Sequence, residues 1–315
     1  MIVIPGNYPR SERLIQKTRD FDRNRIEYKD LQKELEREFD EFLSFQELIG
    51  TPFYSTGLFN YQDLVRPFSV FIQNSQANTL VRFEETNVFW RKLEVTKPVK
   101  INEENFDKFL IEYLRIDKMK NYNYLVSLPS VLTLTKYSNL EIEGSMELLT
   151  EISTKIIEKW HQISSKSINF AFLEYTEIQD VQYIVNFSLR LSQIDKNSKV
   201  RFFVFFKNRI DNIQENISKL KNTNLSGMSI NFYLNPLKKI SDISMFNNFE
   251  YLFAGIINTN TTLIEDIEKV QDFIQHLRKS YRNNLCITDD FYAELLPREV
   301  MDQKIKNLLK IPINS

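Results

Sequence analysis

Few side chains in this sequence could carry acid–base or thiol chemistry. The 315 residues include only two histidines and one cysteine, which are His161, His276 and Cys286. A four-ligand zinc site built from nitrogen and sulfur donors cannot be assembled from one copy of the chain. A histidine general base, a Cys–His dyad or a Ser–His–Asp triad could be built only around one of the two histidines. Histidine and thiol chemistry is therefore confined to these three positions.

The composition is that of an ordinary globular protein. The chain has 41 basic and 42 acidic side chains, so its net charge of −1 gives no general attraction to nucleic acid or to anionic membranes. No run approaches the roughly 18 apolar residues of a membrane span, and the amino-terminal apolar stretch is too short for a signal peptide. A single cysteine excludes an intrachain disulfide. We expect a cytoplasmic protein with neither a nucleic-acid nor a membrane partner.

Glycine is unusually scarce, with only six residues. Loops that cradle phosphates use glycine because its backbone can approach a ligand closely. Neither a GxGxxG nor a GxxxxGK[ST] motif is present. The sequence therefore disfavours nucleotide-dependent chemistry.

Short β-rich runs alternate with helical stretches along the chain. Most of the runs are continuously apolar, which is typical of parallel strands covered by helices. The predicted strands are 2–5, 52–56, 122–128, 168–174, 200–206, 228–234, 251–257 and 285–288, and the predicted helices are 11–39, 105–116, 145–163, 178–194, 211–219, 262–281 and 298–309. Thr262 and Glu265 fit a capping box for the helix 262–281. Eight strands with helices between them predict an α/β fold, a single (β/α)8 TIM barrel, although a doubly wound open sheet would give a similar alternation.

One stretch, 58–100, interrupts the alternation. It contains several β-like pieces, including 68–73 and 79–95, and no good helix. We interpret it as an insertion after the second strand, a β-hairpin over the barrel mouth. No linker rich in proline, glycine or serine divides the chain, so residues 1–315 are predicted to form one domain.

Several polar segments at the predicted strand ends resemble those of the cobalamin-independent methionine synthases. Their order and spacing agree with that family over almost the whole chain, with the closest likeness to its N-terminal half. The segments are Gly6-Asn-Tyr-Pro-Arg10, Arg82-Phe-Glu-Glu-Thr-Asn87, Leu128-Pro-Ser-Val-Leu-Thr133, Ala171-Phe-Leu-Glu-Tyr175, Phe253-Ala-Gly-Ile-Ile-Asn258 and Leu285–Pro297.

The family that the segments resemble has a two-barrel architecture and catalyses a methyl-transfer reaction. Full-length members carry two barrels face to face. Their C-terminal barrel binds zinc through histidine, glutamate and two cysteines, and it moves a methyl group from a methyl-folate to the homocysteine thiolate that the zinc activates. Their N-terminal barrel has a similar fold, carries no zinc and helps to frame the folate site.

This chain departs from the catalytic pattern at each zinc position. The fifth strand ends in Phe206 where a His-x-Cys segment is expected, and Asn231 stands near the expected glutamate. Asp289, Asp290 and Phe291 stand in place of Asp-Cys-Gly, and Leu173 replaces the aspartate that grips the homocysteine amino group. The resemblance thus implies a zinc-free half encoded separately, with no cofactor of its own. Zinc is expected only in a partner catalytic barrel.

Arg10, Arg13 and Lys17 are the first candidate ligand-binding residues. Arg10 follows a predicted strand at the face where barrel active sites lie, so it could bind a ligand carboxylate or form a salt bridge at a helix start. Arg13 and Lys17 share one side of the following helix. They could extend a basic track for an oligoglutamate tail, or they could be exposed helix charges.

Arg82, Thr86 and Asn87 lie in the densest polar cluster, among aromatic residues. Aromatic walls with a few polar groups suit a pterin or a protein partner. The same alternation describes a half-buried hairpin that binds nothing.

Glu174 and Asp289 complete the candidates. Glu174 ends an otherwise apolar strand, where it could pair with Arg10 across the mouth or bind a pterin amide. Asp289 and Asp290 resemble a metal-binding pair, but paired acids in a loop more often cap a helix or stay solvated.

Three hypotheses follow, in this order. The first is an accessory subunit of a separate catalytic methionine synthase barrel, which uses a methyl-folate or another methyl donor. The second is a stand-alone, zinc-independent methyltransferase or related barrel enzyme in which Arg10, Glu174 and Asp289 carry the chemistry. The third is an interaction protein whose mouth is sealed by phenylalanines such as Phe203, Phe205 and Phe206.

Overall fold

The core of the fold is a parallel β-sheet. A computed structural model describes residues 1–61, 63–194, 200–240 and 242–311. Strands β5 to β10 form a six-stranded parallel sheet in chain order, with β5 and β10 at its edges. In chain order the strands are β1 (Ser75–Gln76), β2 (Leu80–Arg82), β3 (Phe89–Arg91), β4 (Glu94–Val95), β5 (Tyr124–Pro129), β6 (Ile168–Glu174), β7 (Val200–Phe206), β8 (Gly227–Asn231), β9 (Tyr251–Ile257) and β10 (Asn284–Asp289).

The continuously apolar runs are the strands of this sheet. β6 and β8 are buried along their whole length, as a sheet covered on both faces requires. The predicted strands 168–174, 200–206 and 251–257 are confirmed to the residue.

The first two predicted strands appear only as single parallel bridges at the two edges of the sheet. Ile2 pairs with Ile287 of β10, and Tyr54 pairs with Tyr124 of β5. These two segments also contact each other, because the Ser55 hydroxyl donates a hydrogen bond of 2.7 Å to the Ile4 carbonyl. The described residues therefore form six strands of one sheet, with a further segment at each edge.

Helices connect the strands and cover the sheet. They are α1 (Glu12–Asp22), α2 (Tyr28–Ile49), α3 (Phe68–Phe71), α4 (Glu103–Lys108), α5 (Ile116–Met119), α6 (Val131–Lys136), α7 (Ile142–Ile163), α8 (Gln182–Leu191), α9 (Ile213–Leu220), α10 (Ile267–Arg278) and α11 (Arg298–Leu308). A single π-helical turn, Phe109–Tyr113, follows α4. No helix in the described ranges is long and apolar enough to cross a membrane.

Two helix predictions were wrong in detail. The stretch 11–39 is not one helix, because Asn24 takes a left-handed conformation with φ 55° and the chain turns between α1 and α2. Thr262 does not cap α10; the Asp266 carboxylate accepts from the backbone amides of Glu268 and Lys269, so the helix begins at Ile267. Glu265 instead binds the ammonium group of Lys304 at 2.8 Å.

The insertion 58–100 folds into two small antiparallel sheets and one helical turn, α3. β1 pairs with β4, and β2 pairs with β3. Asp63 fixes this segment, since its carboxylate accepts from the backbone amides of Val65, Arg66 and Arg91. The β2–β3 hairpin is thereby held in a set position over the carboxyl ends of the large sheet.

Candidate functional site

Charged and polar side chains collect where β6, β7, β8 and β10 end. Ligand sites of parallel α/β folds lie at the carboxyl ends of the strands, and we call this end of the sheet the mouth. Glu174, Lys207, Asn231, Asp289 and Asp290 all lie there and are almost completely buried. Buried charges require partners or a purpose, so the contacts of each residue define what the mouth can do.

A buried ion pair joins the ends of β7 and β10. The Lys207 ammonium lies 2.6 Å from Asp289 Oδ2 and 2.8 Å from the Asp289 carbonyl oxygen. Both side chains are almost fully enclosed. Lys207 was missed as a candidate residue, although one signal was available, because a lysine directly after the apolar run Phe202–Phe206 must place its charge at the strand end.

Glu174 is buried in a network of hydroxyl groups. Thr133 and Thr176 each donate a hydroxyl hydrogen bond of 2.8 Å to Glu174 Oε1. Burial raises the pKa of the Glu174 carboxyl, against the lowering effect of these hydrogen bonds. The pairing of Glu174 with Arg10 is not formed, since Arg10 binds Glu294 at 2.9 Å. Both residues thus complete internal contacts of the mouth.

Asp290 stands beside the ion pair but is not part of it. Asp290 Oδ1 accepts hydrogen bonds from the Thr259 amide at 2.8 Å and from the Thr259 hydroxyl at 2.9 Å. Burial raises the pKa of the Asp290 carboxyl to about 6, despite those hydrogen bonds. The expectation that Asp289 and Asp290 would cap a helix or remain solvated was wrong, because both are buried at the end of β10.

The basic residues of the first helix lie apart from the buried groups of the mouth. Arg13 binds Glu34 of α2 and lies 3.1 Å from Glu41 of the same helix. Lys17 is half-exposed on α1. The guanidinium groups of Arg10 and Arg13 are each paired with a glutamate of the chain, so a role in binding a ligand carboxylate stays a prediction.

The candidates of the insertion stabilise its own turn. The Arg82 guanidinium donates to the Thr86 carbonyl, and the Thr86 hydroxyl donates to the Phe83 carbonyl. Asn87 is exposed at the same turn. The outward side of the hairpin therefore presents Arg82 and Asn87 to the surroundings, whereas its inward side carries Phe83 and Trp90, both fully buried.

Aromatic rings close the centre of the mouth. Phe83 and Trp90 stack with centroids 4.1 Å apart, and the indole lies 4.8 Å from the Tyr137 ring. The remaining contacts run to rings that follow β6 and β10. We call this set the aromatic plug; it consists of Phe83, Trp90, Tyr137, Tyr175, Phe291 and Tyr292.

The three residues available for histidine or thiol chemistry do not join these groups. His161 and His276 lie exposed in the last turns of α7 and α10. Cys286 lies inside β10, where burial raises the pKa of its thiol to about 12.

The residues at the zinc positions implied by the family resemblance do not fit a zinc ion. Lys207, at the end of β7, brings an ammonium that is held by Asp289. The Asn231 amide is committed, since it donates to the Lys207 carbonyl and accepts from the amides of Tyr233 and Leu234. Among the described residues, no group of three or more histidine, cysteine, aspartate or glutamate side chains is arranged to hold a metal.

Comparisons with known proteins identify the fold. No protein-family model matches the sequence, and no curated protein does. A B12-independent methionine synthase from Shewanella sp. W3-18-1, solved in complex with selenomethionine, is similar with a TM-score of 0.64 and 15% identity, over 90% of this chain and 88% of that one. The chain has a fold similar to that of the B12-independent methionine synthases.

Two further structures agree with this comparison. A candidate vitamin-B12-independent methionine synthase from Listeria monocytogenes is similar with a TM-score of 0.67 and 12% identity, over 98% of both chains. A methyltransferase from Methanosarcina mazei gives a TM-score of 0.50 and 10% identity, over 87% of this chain and 84% of that one. At these identities, the likeness concerns the fold alone.

The buried Asp290 carboxyl leads to a prediction about stability and pH. Because its pKa is raised from 3.8 to about 6 in the folded protein, the folded state binds the proton more tightly than the unfolded state. Stability contributed by this group is therefore lost as the pH rises from about 4 to 6, by about 3 kcal/mol in total. Asp290→Asn should be more stable than the wild type by up to about 3 kcal/mol at pH 7.5 and nearly equal to it at pH 4.

Urea unfolding of both proteins between pH 4 and 7.5 measures this difference. Glu177→Gln is the control, because it removes an exposed carboxyl of the same mouth and should change the unfolding free energy by less than about 0.5 kcal/mol. A loss of stability in Asp290→Asn at pH 7.5 would show that the ionised carboxylate has a stabilising partner.

Proposed function

We propose that residues 1–315 form a closed (β/α)8 barrel, with 58–100 as an insertion within this one domain. The two edge segments support closure. Ile2 pairs with β10, Tyr54 pairs with β5, and the two segments are linked to each other through Ser55 and Ile4. A backbone hydrogen bond of 2.9 Å from the Tyr8 amide to the Gly57 carbonyl adds a second link.

The proposed function is that of a zinc-free accessory subunit of a split methionine-synthase-like enzyme in the cytoplasm. A separate catalytic barrel would carry the zinc and transfer a methyl group, from a methyl-folate or another donor, to homocysteine. The observation that carries this proposal is the filled mouth: the Lys207–Asp289 pair and the aromatic plug occupy the strand ends where a reaction centre would otherwise lie. A fold similar to the methionine synthases supports the choice of partner.

The candidate ligand residues favour an accessory role over catalysis by this chain alone. Arg10, Glu174 and Asp289 are each engaged with other residues of the mouth. If Arg10 or Asp289 took part in catalysis, its ion pair would have to break, and breaking a buried ion pair is costly. These side chains are therefore assigned to holding the mouth in shape.

The rim of the mouth offers an apolar surface for the partner barrel. Leu80 and Phe89 are more than half exposed on the outward side of the hairpin, where the β2–β3 register places them on the same side. Exposed apolar groups that cluster on one face mark protein interfaces. The same face carries the exposed Arg82 and Asn87, which supply polar contacts at its edge.

Co-purification with the catalytic barrel tests the proposal. The tagged chain, expressed in its own host, should capture a zinc-binding methionine-synthase-like barrel in near-equal amount, and the complex should transfer methyl groups faster than that barrel alone. The double variant Leu80→Glu/Phe89→Asp should reduce capture at least tenfold, because it places charges in the apolar rim.

Leu48→Glu is the matched control for this experiment. Leu48 is 71% exposed, but it lies at the carboxyl end of α2, immediately before the segment that enters the sheet at Tyr54. Capture should be unchanged in this variant. Methyl transfer that is independent of the added chain, or equal loss of capture in both variants, would overturn the proposal.

A further inference from the structure

A second feature of the mouth lies beside the aromatic plug. It is a cavity of about 460 Å³ at the ends of β8, β9 and β10, bordered by the turn of the β2–β3 hairpin. The carboxylates of Glu84, Glu85, Glu177 and Asp290 line it, whereas its described lining contains neither lysine nor arginine. Its volume lies within the range of small-molecule sites, which is about 300–1,000 Å³.

Asp290 is the one carboxylate of this cavity that is built into the fold. The residue is only 1% exposed, and its Oδ1 is fixed by the amide and the hydroxyl of Thr259. The hydrogen bonds that the described residues make to this carboxylate both reach Oδ1 and none reaches Oδ2, and Asp290 lines the cavity. A buried carboxylate with one oxygen held in place and the other free is prepared for a further donor.

The neighbouring cation cannot serve as that donor. Lys207 is the basic side chain near Asp290, but its ammonium is bound to the carboxylate and the carbonyl oxygen of Asp289. Of the other acids lining the cavity, Glu84 is held by Lys136 and Glu177 by Arg209. Among the described residues, no lysine or arginine forms an ion pair with Asp290, so a cationic ligand could supply the missing counter-charge.

The lining distinguishes an organic cation from a metal ion. Although four carboxylates line the cavity, the described residues contain no group of three or more acidic, histidine or cysteine side chains arranged to hold a metal ion, and the Asn231 amide is already committed. The ring of Phe291 and the half-exposed ring of Tyr233 form apolar walls next to Asp290. Aromatic walls with one buried carboxylate suit an ammonium group attached to a short aliphatic chain.

We propose that this cavity binds a small primary amine, with the ammonium group on Asp290 Oδ2 and the aliphatic part against Tyr233 and Phe291. Asn258 and Asn260, at the rim, place amide groups where a second polar end of the ligand would lie. This site is independent of the accessory role, and its failure would leave that proposal standing.

Titration calorimetry with 1,4-diaminobutane and n-butylamine tests the site, with n-butanol and butyrate as probes that lack the positive charge. The amines should bind saturably, and the uncharged and anionic probes should not. Asp290→Asn should weaken amine binding at least tenfold, because the amide keeps the shape and the acceptor for Thr259 but removes the charge. Glu85→Gln, at an exposed acid of the rim, should change affinity less than threefold.

Amide chemical shifts place the bound amine. On addition of n-butylamine, the backbone amide signals of Thr259 and Asp290 should move, and those of the last turn of α7, which leads into the start of β6, should not. Equal affinity in the wild type and Asp290→Asn, or equal binding of n-butanol and n-butylamine, would overturn the proposal. The proposal would also be overturned, in favour of a metal site, if magnesium shifted the same amide signals and bound more tightly than the amines.

Discussion

Lys207→Met should destabilise the protein by about 3–5 kcal/mol at pH 7.5. The substitution keeps the aliphatic volume and removes the ammonium. The Asp289 carboxylate, which is only 2% exposed, then stays buried without its counter-ion. Leaving one partner of a buried pair uncompensated has this cost because a desolvated charge loses both water and its opposite charge. Urea unfolding monitored by circular dichroism measures the change.

Two further variants separate the charge effect from packing. Lys207→Met/Asp289→Asn should recover at least half of the loss, because no buried charge remains and the amide is easier to desolvate. Lys219→Met is the exposed counterpart, since its ammonium binds Asp180 and Glu215 at the surface, and it should destabilise the protein far less than Lys207→Met. A loss below 1 kcal/mol in Lys207→Met would mean that water reaches Asp289.

Trp90→Ala should cost about 3–5 kcal/mol. The indole is completely buried, stacks on Phe83 at 4.1 Å and contacts the rings of Tyr137, Tyr175 and Tyr292. Removing a large aromatic side chain loses its transfer free energy and leaves a cavity in the aromatic plug. The same unfolding measurement applies.

The neighbouring residue provides the control for this variant. Phe89→Ala removes an aromatic side chain that is 56% exposed on the outward side of the same hairpin, so the unfolding free energy should change by less than about 0.5 kcal/mol. Trp90→Phe should fall between the two, since the buried indole nitrogen has no hydrogen-bond partner among the described residues to lose. A similar small effect for Trp90→Ala and Phe89→Ala would indicate that the hairpin opens separately from the sheet.

These two predictions bear directly on function. If Lys207 and Trp90 carry the stability expected of them, the centre of the mouth is part of the core. That outcome would support the proposed accessory role, and it would leave the cavity beside Asp290 as the place for a small ligand. The accessory role and the amine site are thus compatible on one face of the molecule.

Local sequence pattern determined the strands of the sheet. The runs that became β6, β7 and β9 are mostly apolar, and an apolar run of this kind predicts a strand covered on both faces without information from elsewhere in the chain. The first two predicted strands were harder, because each is short and lies at an edge of the sheet. There Ile2 pairs with Ile287 and Tyr54 pairs with Tyr124, so each bridge depends on a residue far away in sequence.

Most partners in the mouth could not be read from the chain. Arg10 meets Glu294, and Lys207 meets Asp289, across separations of 284 and 82 residues. A sequence shows that a charge stands at a strand end, but the choice among several opposite charges depends on distances of a few ångströms. Pairing with Arg10 was one of two alternatives open for Glu174, and in the fold this carboxylate accepts hydrogen bonds from the hydroxyl groups of Thr133 and Thr176.

By itself, the sequence determined which segments are apolar enough to form a parallel sheet, that histidine and thiol chemistry is confined to three positions, and that an aromatic, charged insertion interrupts the alternation. Only the tertiary structure decided that the insertion turns Phe83 and Trp90 inward, that Lys207 neutralises Asp289, and that the buried Asp290 lines a cavity. The physical reason is range. Burial and strand formation follow from residues close together in sequence, whereas charge pairing and cavity shape depend on atoms that only the folded chain brings together.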